Sequence, residues 1–316
     1  MKMLVTGAAG FIGRALVARL LKDGHQVRVA VRKPSGLPDE ILVGELSTDT
    51  DWTLALHECE AVVHLASRVH IMRDDAADPA AAFHRVNVAG TLQLARQAAA
   101  MGVRRFVFAS SIKVHGEGRE TAYRETDAPA PEDDYAASKW EAEQQLRALA
   151  AATGMTVVVL RIPLVYGPGV KANFLQLIRA VDNGMPLPFG RIDNRRSLIF
   201  LGNLVDALVL SLQSPAAANR TYLVSDGEDV STPELIRRLA AALGRPARLW
   251  PVPVALMELV GFLTGHRNKV RRLWNSLTLD GRAIRDELGW SPPFTMQAGL
   301  KLTADWYRKS EAAHHD

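Results

Sequence analysis

Tyr135 and Lys139 stand four residues apart in the run Asp133-Asp134-Tyr135-Ala136-Ala137-Ser138-Lys139. On a helix that spacing puts both side chains on one face. A phenol with an ordinary pKa near 10 handles protons poorly at neutral pH, and a neighbouring ammonium favours its phenolate form. The pair therefore reads as a proton carrier tuned by a cation, against the plainer alternative of a surface pair on an amphipathic helix. Upstream, Phe106-Val107-Phe108-Ala109-Ser110-Ser111 ends an apolar run in two hydroxyls. A hydroxyl there can hydrogen-bond a carbonyl or alcohol of a substrate, or only its own local backbone. At the start of the chain, Gly7, Gly10 and Gly13 follow the apolar run Met3 to Val5 and precede a helical pattern. Glycines between strand and helix permit a tight turn and leave N–H groups at the helix start that can hold a pyrophosphate.

The elements needed to place these residues are legible in the periodicity. Strand patterns at 3–5, 26–31, 61–65, 104–109 and 156–162 alternate with helical patterns after Gly13, at 79–101 and at 134–153. Asp134 is expected to cap the last of these helices. Repeated βα units imply a doubly wound parallel sheet with helices on both faces, an α/β fold of Rossmann type. Ligands in such sheets bind beyond the carboxyl ends of the strands, where the hydroxyls and glycines fall. After about residue 165 Pro and Gly become frequent and the segments shorter. The expected division is a cofactor domain over 1–165 and a small mixed substrate lobe over 166–316. The stretch 197–225, with strand patterns at 197–201 and 221–224, is expected to return to the main sheet. Further helical patterns run over 232–243, 254–264 and 280–288.

Apolar residues make up 48% of the 316 residues and charged ones 23%, the composition of a globular protein. The net charge of +4 is mild and accompanies no nucleic-acid motif. The single cysteine, Cys59, excludes an intrachain disulfide framework. No signal peptide is visible, and the apolar stretch 252–263 is shorter than the ~20 residues of a membrane span. A cytoplasmic protein without membrane or nucleic-acid partners is the expectation, and no metal site is expected.

Taken in order, these motifs resemble the extended short-chain dehydrogenases/reductases, within their group of nucleotide-sugar epimerases, dehydratases and reductases. The resemblance spans nearly the whole chain. Thr6-Gly7-Ala8-Ala9-Gly10-Phe11-Ile12-Gly13 is similar to the cofactor loop, Val62-Val63-His64-Leu65-Ala66 to the strand lining the cofactor, and Asn87-Val88-Ala89-Gly90-Thr91 to the central helix motif. Ser111, Tyr135 and Lys139 match the catalytic triad. The resemblance implies a dinucleotide whose pyrophosphate lies at Gly7, Ala9, Gly10, Phe11, Ile12 and Gly13. Leu65, Ala66, Ser67, Asn87 and Pro163 would line it, with Glu45 and Leu46 near the adenine. Tyr135 would exchange a proton with the C4 oxygen of a UDP-sugar, Lys139 would lower the Tyr135 pKa and hold the nicotinamide ribose, and Ser111 would hydrogen-bond the reacting oxygen. Lys113, Asn173, Arg196 and Arg272, with Arg271 as an alternative, are the implied substrate contacts. Relatives often dimerise through the helices around Asn87 and Tyr135, so a homodimer is compatible.

Departures from the family pattern bear on the reaction. The second strand ends Val31-Arg32-Lys33, with no acid for the ribose 2′-hydroxyl. An arginine there can accept a 2′-phosphate, so NADP(H) is expected over NAD(H). Ile112 replaces the acid that dehydratases carry after the catalytic hydroxyl, which disfavours dehydration. Leu164 stands where many sugar-nucleotide relatives have Asn, and His115 where many epimerases have Tyr. The segments 110–117 and 161–169 resemble reductases of a UDP-4-keto-6-deoxy-N-acetylhexosamine that serve O-antigen lipopolysaccharide. A UDP-hexose 4-epimerase with bound NAD is the first alternative, and a non-catalytic redox-sensing module the remote one. Tyr135→Phe is expected to abolish turnover while leaving dinucleotide affinity nearly intact; undiminished turnover would remove Tyr135 from the reaction.

Overall fold

The computed structural model describes residues 1–69, 78–263 and 274–315. Strand β1 (Lys2–Thr6) runs into the glycine turn and helix α1 (Phe11–Lys22), followed by β2 (Gln26–Val31) and β3 (Glu40–Leu42). A short helix α2 (Thr53–Leu56) leads to β4 (Ala61–His64). Then come α3 (Pro79–Phe83), a π-helical stretch (His84–Gly90) and α4 (Thr91–Ala100). Strand β5 (Arg105–Ser111), helix α5 (Asp134–Thr153) and strand β6 (Thr156–Ile162) follow. Beyond them lie β7 (Leu164–Tyr166), α6 (Ala172–Asp182), β8 (Arg196–Phe200), α7 (Leu201–Gln213), β9 (Thr221–Leu223) and β10 (Asp229–Val230). Helices α8 (Thr232–Leu243), α9 (Val254–Leu263), α10 (Arg282–Leu288) and α11 (Met296–His315) complete the chain.

Seven strands form one parallel sheet in the order β3-β2-β1-β4-β5-β6-β9. The strand order reverses between β1 and β4, so a crevice opens at their carboxyl ends. Alternate residues of each strand face opposite cores. Met3, Val5, Val107 and Leu160 pack against Leu16 and Leu20 of α1 and Leu204 and Leu208 of α7. Leu4, Phe106, Phe108 and Val159 pack against Leu94 and Ala95 of α4 and Ala142 and Leu146 of α5. A third core joins Tyr166, Phe200 and Ile236 with Phe174 and Leu300.

The structure corrects three expectations. Strand β8 does not return to the main sheet. It pairs with β7 in parallel and β10 antiparallel in a separate three-stranded sheet, because the chain leaves β6 at Pro163 and starts a new edge. Of the stretch 197–225, α7 and β9 do rejoin the main sheet. The segment 79–101 is not one α-helix: the π-helical stretch interrupts it and sets Asn87, which is buried, among polar partners. Asp133, not Asp134, caps α5; its carboxylate accepts from Ala136 N at 2.8 Å. Gly154 closes that helix in the left-handed conformation, at φ 74°.

The glycine turn is sterically committed. A Cβ at Gly13 would lie 2.3 Å from the Gly7 carbonyl oxygen and 2.6 Å from Ala8 Cα. Gly13→Ala is therefore expected to lower stability by about 3 kcal/mol, read as a fall in the urea midpoint with an unchanged slope. A midpoint within error of the parent would mean the turn yields freely.

Candidate active site

Gly7 closes β1 at φ 67°, and a Cβ there would sit 2.7 Å from Ala66 N and 2.8 Å from the Leu65 carbonyl carbon. Gly10 N donates to Gly7 O at 2.9 Å, and Gly10 is the N-cap of α1 with no side chain to occupy the first helical N–H groups. Such a bare helix start, narrowed by glycine against the end of β4, fits a dinucleotide pyrophosphate. Ala9 and Gly10 are exposed, and Phe11, Ile12, Leu65, Ala66 and Ser67 half-buried around the crevice. A buried relay ties the two strand ends together. Thr6 Oγ1 accepts from Ala66 N at 3.2 Å and meets His64 Nδ1 at 2.7 Å, and His64 Nε2 meets Thr91 Oγ1 at 2.9 Å. Burial, with Lys139 adding to it, pushes the imidazole down to about 3. His64 is therefore neutral, with one ring nitrogen accepting and the other donating.

At the end of β5, Lys139 Nζ donates to Ala109 O at 2.8 Å and lies 4.5 Å from the centre of the Phe108 ring. Ser111 Oγ accepts from Lys113 N at 3.3 Å and shares a hydrogen bond with the Tyr135 hydroxyl. Tyr135 and Lys139 share one face of α5, as their spacing predicted, and that face lies against the end of β5 that carries Ser111. Their electrostatics differ from expectation. Burial pushes the Tyr135 phenol up to about 12, with the Ser111 hydrogen bond opposing and the Asp133 carboxylate reinforcing. Burial pushes Lys139 down to about 7, and the Glu143 carboxylate opposes that. The ammonium is turned to a backbone carbonyl and an aromatic face, not to the phenol, so the expected lowering of Tyr135 by Lys139 is not seen.

The implied cofactor and substrate contacts separate into groups. Asn87 is fully engaged within the protein. Its Oδ1 accepts from Ser67 Oγ (3.0 Å) and Arg68 N (2.8 Å), and its Nδ2 donates to Arg68 O and Ser138 Oγ (3.0 Å each). It clamps the loop after β4 to α5. Arg32 and Lys33 are exposed at the end of β2, where Arg32 pairs with Glu45 at 3.1 Å. Leu46 is buried beneath Gly90, and Pro163 is buried between β6 and β7. Lys113 pairs with Asp133 at 3.0 Å, beside the start of the tyrosine helix. Asn173 is exposed in the first turn of α6. Arg196 donates to Asn275 O at 2.9 Å. Arg271 and Arg272 lie outside the described residues.

Sequence reasoning missed the polar layer beneath the triad. Glu143 is fully buried and pairs with Arg161, itself only 2% exposed. Arg161 also reaches His115 Nε2 at 2.6 Å. Two signals were present: Glu143 follows Lys139 by one helical step, and Arg161 is a lone charge inside an otherwise apolar central strand. His115, which stands where many epimerases have Tyr, lies in this polar layer. It stacks on Tyr123 with centroids 5.3 Å apart, and burial with Arg161 pushes it down to about 4. Cys59 is buried, as expected of a small core residue.

The glycine turn and the grouping of Ser111, Tyr135 and Lys139 thus lie at the carboxyl ends of the strands of one doubly wound parallel sheet. The chain belongs to the NAD dependent epimerase/dehydratase family, whose model matches residues 3–225. It is 48% identical over 308 residues to a UDP-glucose 4-epimerase of Vibrio cholerae, covering 96% of this chain and 94% of the relative. A UDP-glucose 4-epimerase of Mycolicibacterium smegmatis is 31% identical, with 98% of this chain and 99% of the relative covered. Among solved structures, MoeE5 in complex with UDP-glucuronic acid and NAD superposes with a TM-score of 0.80 at 29% identity, over 98% of this chain and all of that one. The Thermotoga maritima UDP-glucose 4-epimerase with UDP-glucose gives 0.79 at 25%, covering 98% and 100%. No helix among the described residues is long and apolar enough to cross a membrane, and no group of side chains among them could hold a metal ion.

The neutral, buried His115 has a pH consequence. Its folded pKa lies below the ordinary 6.5, so the unfolded chain binds the extra proton and stability drains away as pH falls from 6.5 towards about 4. His115→Gln removes that linkage. The stability advantage of the parent over the variant is expected to shrink by on the order of 2 kcal/mol between neutrality and about pH 4.5, measured by urea unfolding. An advantage that stays constant with pH would contradict a neutral buried imidazole.

Proposed function

We propose that this enzyme is a UDP-hexose 4-epimerase working with bound NAD(H). The observation that carries this is the 48% identity to the Vibrio cholerae UDP-glucose 4-epimerase across 96% of the chain, combined with an intact Ser111–Tyr135–Lys139 cluster. A bound nicotinamide supplies the hydride chemistry at C4. The chain's own groups handle the proton and the orientation. Tyr135 takes the proton of the sugar 4-hydroxyl as the carbonyl forms and returns it when the alcohol is restored. Ser111, hydrogen-bonded to the same phenol, holds the reacting oxygen. Gly7 to Gly13 leave backbone N–H groups for the pyrophosphate, and Lys139 supplies the positive charge beside Tyr135 and the ribose. A phenol pushed up to about 12 stays protonated at neutral pH, so forming the phenolate that takes the substrate proton needs more positive charge near Tyr135 than the protein alone provides. A cationic nicotinamide ring supplies charge of that sign.

Reduction of a UDP-4-keto-6-deoxy-N-acetylhexosamine by NADPH is the second reading, and Arg32 favours it. No acid ends β2, and among the described residues Arg32 is held by an exposed pair with Glu45. Pairs of that kind are worth under about 1 kcal/mol, so a 2′-phosphate could take over the guanidinium at little cost. Lys113, Asn173 and Arg196 remain the proposed sugar-nucleotide contacts in either case.

Two tubes separate the readings. UDP-glucose and UDP-galactose are expected to interconvert with purified protein, without net change in nicotinamide absorbance. Stoichiometric loss of NADPH absorbance with the 4-keto sugar, faster than with NADH and without interconversion of the hexoses, would replace the epimerase with the reductase.

A further inference from the structure

Three successive residues at the carboxyl end of β5 each hold a different residue of α5. Ala109 O accepts from Lys139 Nζ at 2.8 Å, Ser110 Oγ donates to Glu143 Oε1 at 2.5 Å, and Ser111 pairs with Tyr135. Tyr135, Lys139 and Glu143 follow one another at four-residue steps along α5 and so share one face. Glu143 has no exposed surface, and both of its oxygens are occupied. Oε1 accepts from Ser110 and from Arg161 Nε at 3.1 Å; Oε2 accepts from Arg161 at 2.7 Å and Arg147 at 2.9 Å. A carboxylate buried this deeply is tolerated only when its hydrogen bonds and counter-charges are complete. Locking a strand to a helix does not require one, since a neutral amide or an apolar contact would serve. What a carboxylate adds is a fixed negative charge, one helical turn from a buried ammonium whose direct partners are a neutral carbonyl and a ring.

We propose that Glu143 is the buried counter-charge that keeps the Lys139 ammonium charged beside Tyr135, and that Arg161 is a positioning residue that fixes this carboxylate. The proposal rests on the reading of Tyr135 and Lys139 as the proton-handling pair. The ionisable groups around Lys139 are Tyr135, Glu143 and Arg147 on α5, His64 on β4 and Arg161 on β6. His64 is neutral and Tyr135 is protonated in this setting. Burial drives Lys139 towards its uncharged form, and Glu143 is the group that opposes it. Ser110, the neighbour of the catalytic serine, takes on a definite task in this arrangement. It ties the counter-charge to the strand that carries Ser111.

The test reads the lysine itself. The full chain, free of substrate, is labelled with carbon-13 at lysine Cε and titrated by NMR, with the Lys139 signal assigned by its loss in Lys139→Arg. Glu143→Gln keeps the shape and removes the charge. Its Lys139 midpoint is expected to fall by roughly one pH unit below that of the parent. Arg147→Ala acts in the opposite sense, because it removes a cation that partly neutralises Glu143. Arg147 is 41% exposed, so the change should be tolerated, and solvent screening limits the expected rise to about 0.3 pH units. If Glu143→Gln does not fold, the rise in Arg147→Ala carries the test, and no movement there overturns the proposal. Folded Glu143→Gln with an unmoved midpoint also overturns it, leaving Glu143 a structural tie. The titration needs no turnover, so a protein that neither epimerises nor reduces a sugar, yet shows the shifted midpoint, would refute the functional reading and leave the counter-charge standing.

Discussion

The seam between the carboxyl end of β5 and one face of α5 is the constraint on which the site depends. The strand delivers a carbonyl and two hydroxyls in sequence, and the helix answers with Lys139, Glu143 and Tyr135. Each contact lies in a place poor in water, where a misplaced polar group would be costly. The strand is buried from Phe106 to Ser111, so its register against β4 and β6 cannot slip without turning Phe106 and Phe108 out of their core. Register fixes the hydroxyls, the Asp133 cap and the Gly154 stop fix the helix, and the seam follows.

The rest of the structure opens a crevice beside that seam. The reversal of strand order between β1 and β4 opens the crevice, and the glycine turn lets α1 begin close beside the end of β4. The Thr6–His64–Thr91 relay holds those two strand ends together without a charge. Asn87 joins the loop after β4 to α5 through Ser138, the residue just before Lys139. Helix α5 is therefore tied both to the loop after β4 and to the end of β5. The second sheet with α6, α8 and α11 builds a lobe whose core is distinct from the two beneath the main sheet, while α10 packs through Ile284 into a main-sheet core.

Much of this was legible from residue pattern alone. The strands Gln26–Val31 and Thr156–Ile162 and the helices Asp134–Thr153 and Thr232–Leu243 lie where periodicity and the glycine stops put them. The glycine turn and the shared face of Tyr135 and Lys139 were legible because each is local: a strand end and a four-residue step. What escaped was non-local. Whether 196–200 pairs with the main sheet or with 164–166 depends on where the chain leaves β6, which its own composition does not record. The π-helical stretch holds Asn87 against partners on a distant loop and helix, and an Ala-rich segment gives no local sign of that. Glu143 and Arg161 lie 18 residues apart on a helix and a strand, and only folding sets them against each other, at 2.7 Å. The direction of the Tyr135 shift escaped for the same reason, since spacing shows that a lysine is near but not that its ammonium is turned to Ala109.

The most direct test of this site is a crystal structure with NAD and UDP-glucose bound. The expected result is a pyrophosphate on the N–H groups between Gly10 and Gly13, with the sugar C4 oxygen within hydrogen-bond distance of both the Tyr135 hydroxyl and Ser111 Oγ. A hexose whose C4 lies away from Tyr135 and Ser111 in a fully occupied complex would contradict the assignment of the seam between β5 and α5 as the reaction centre.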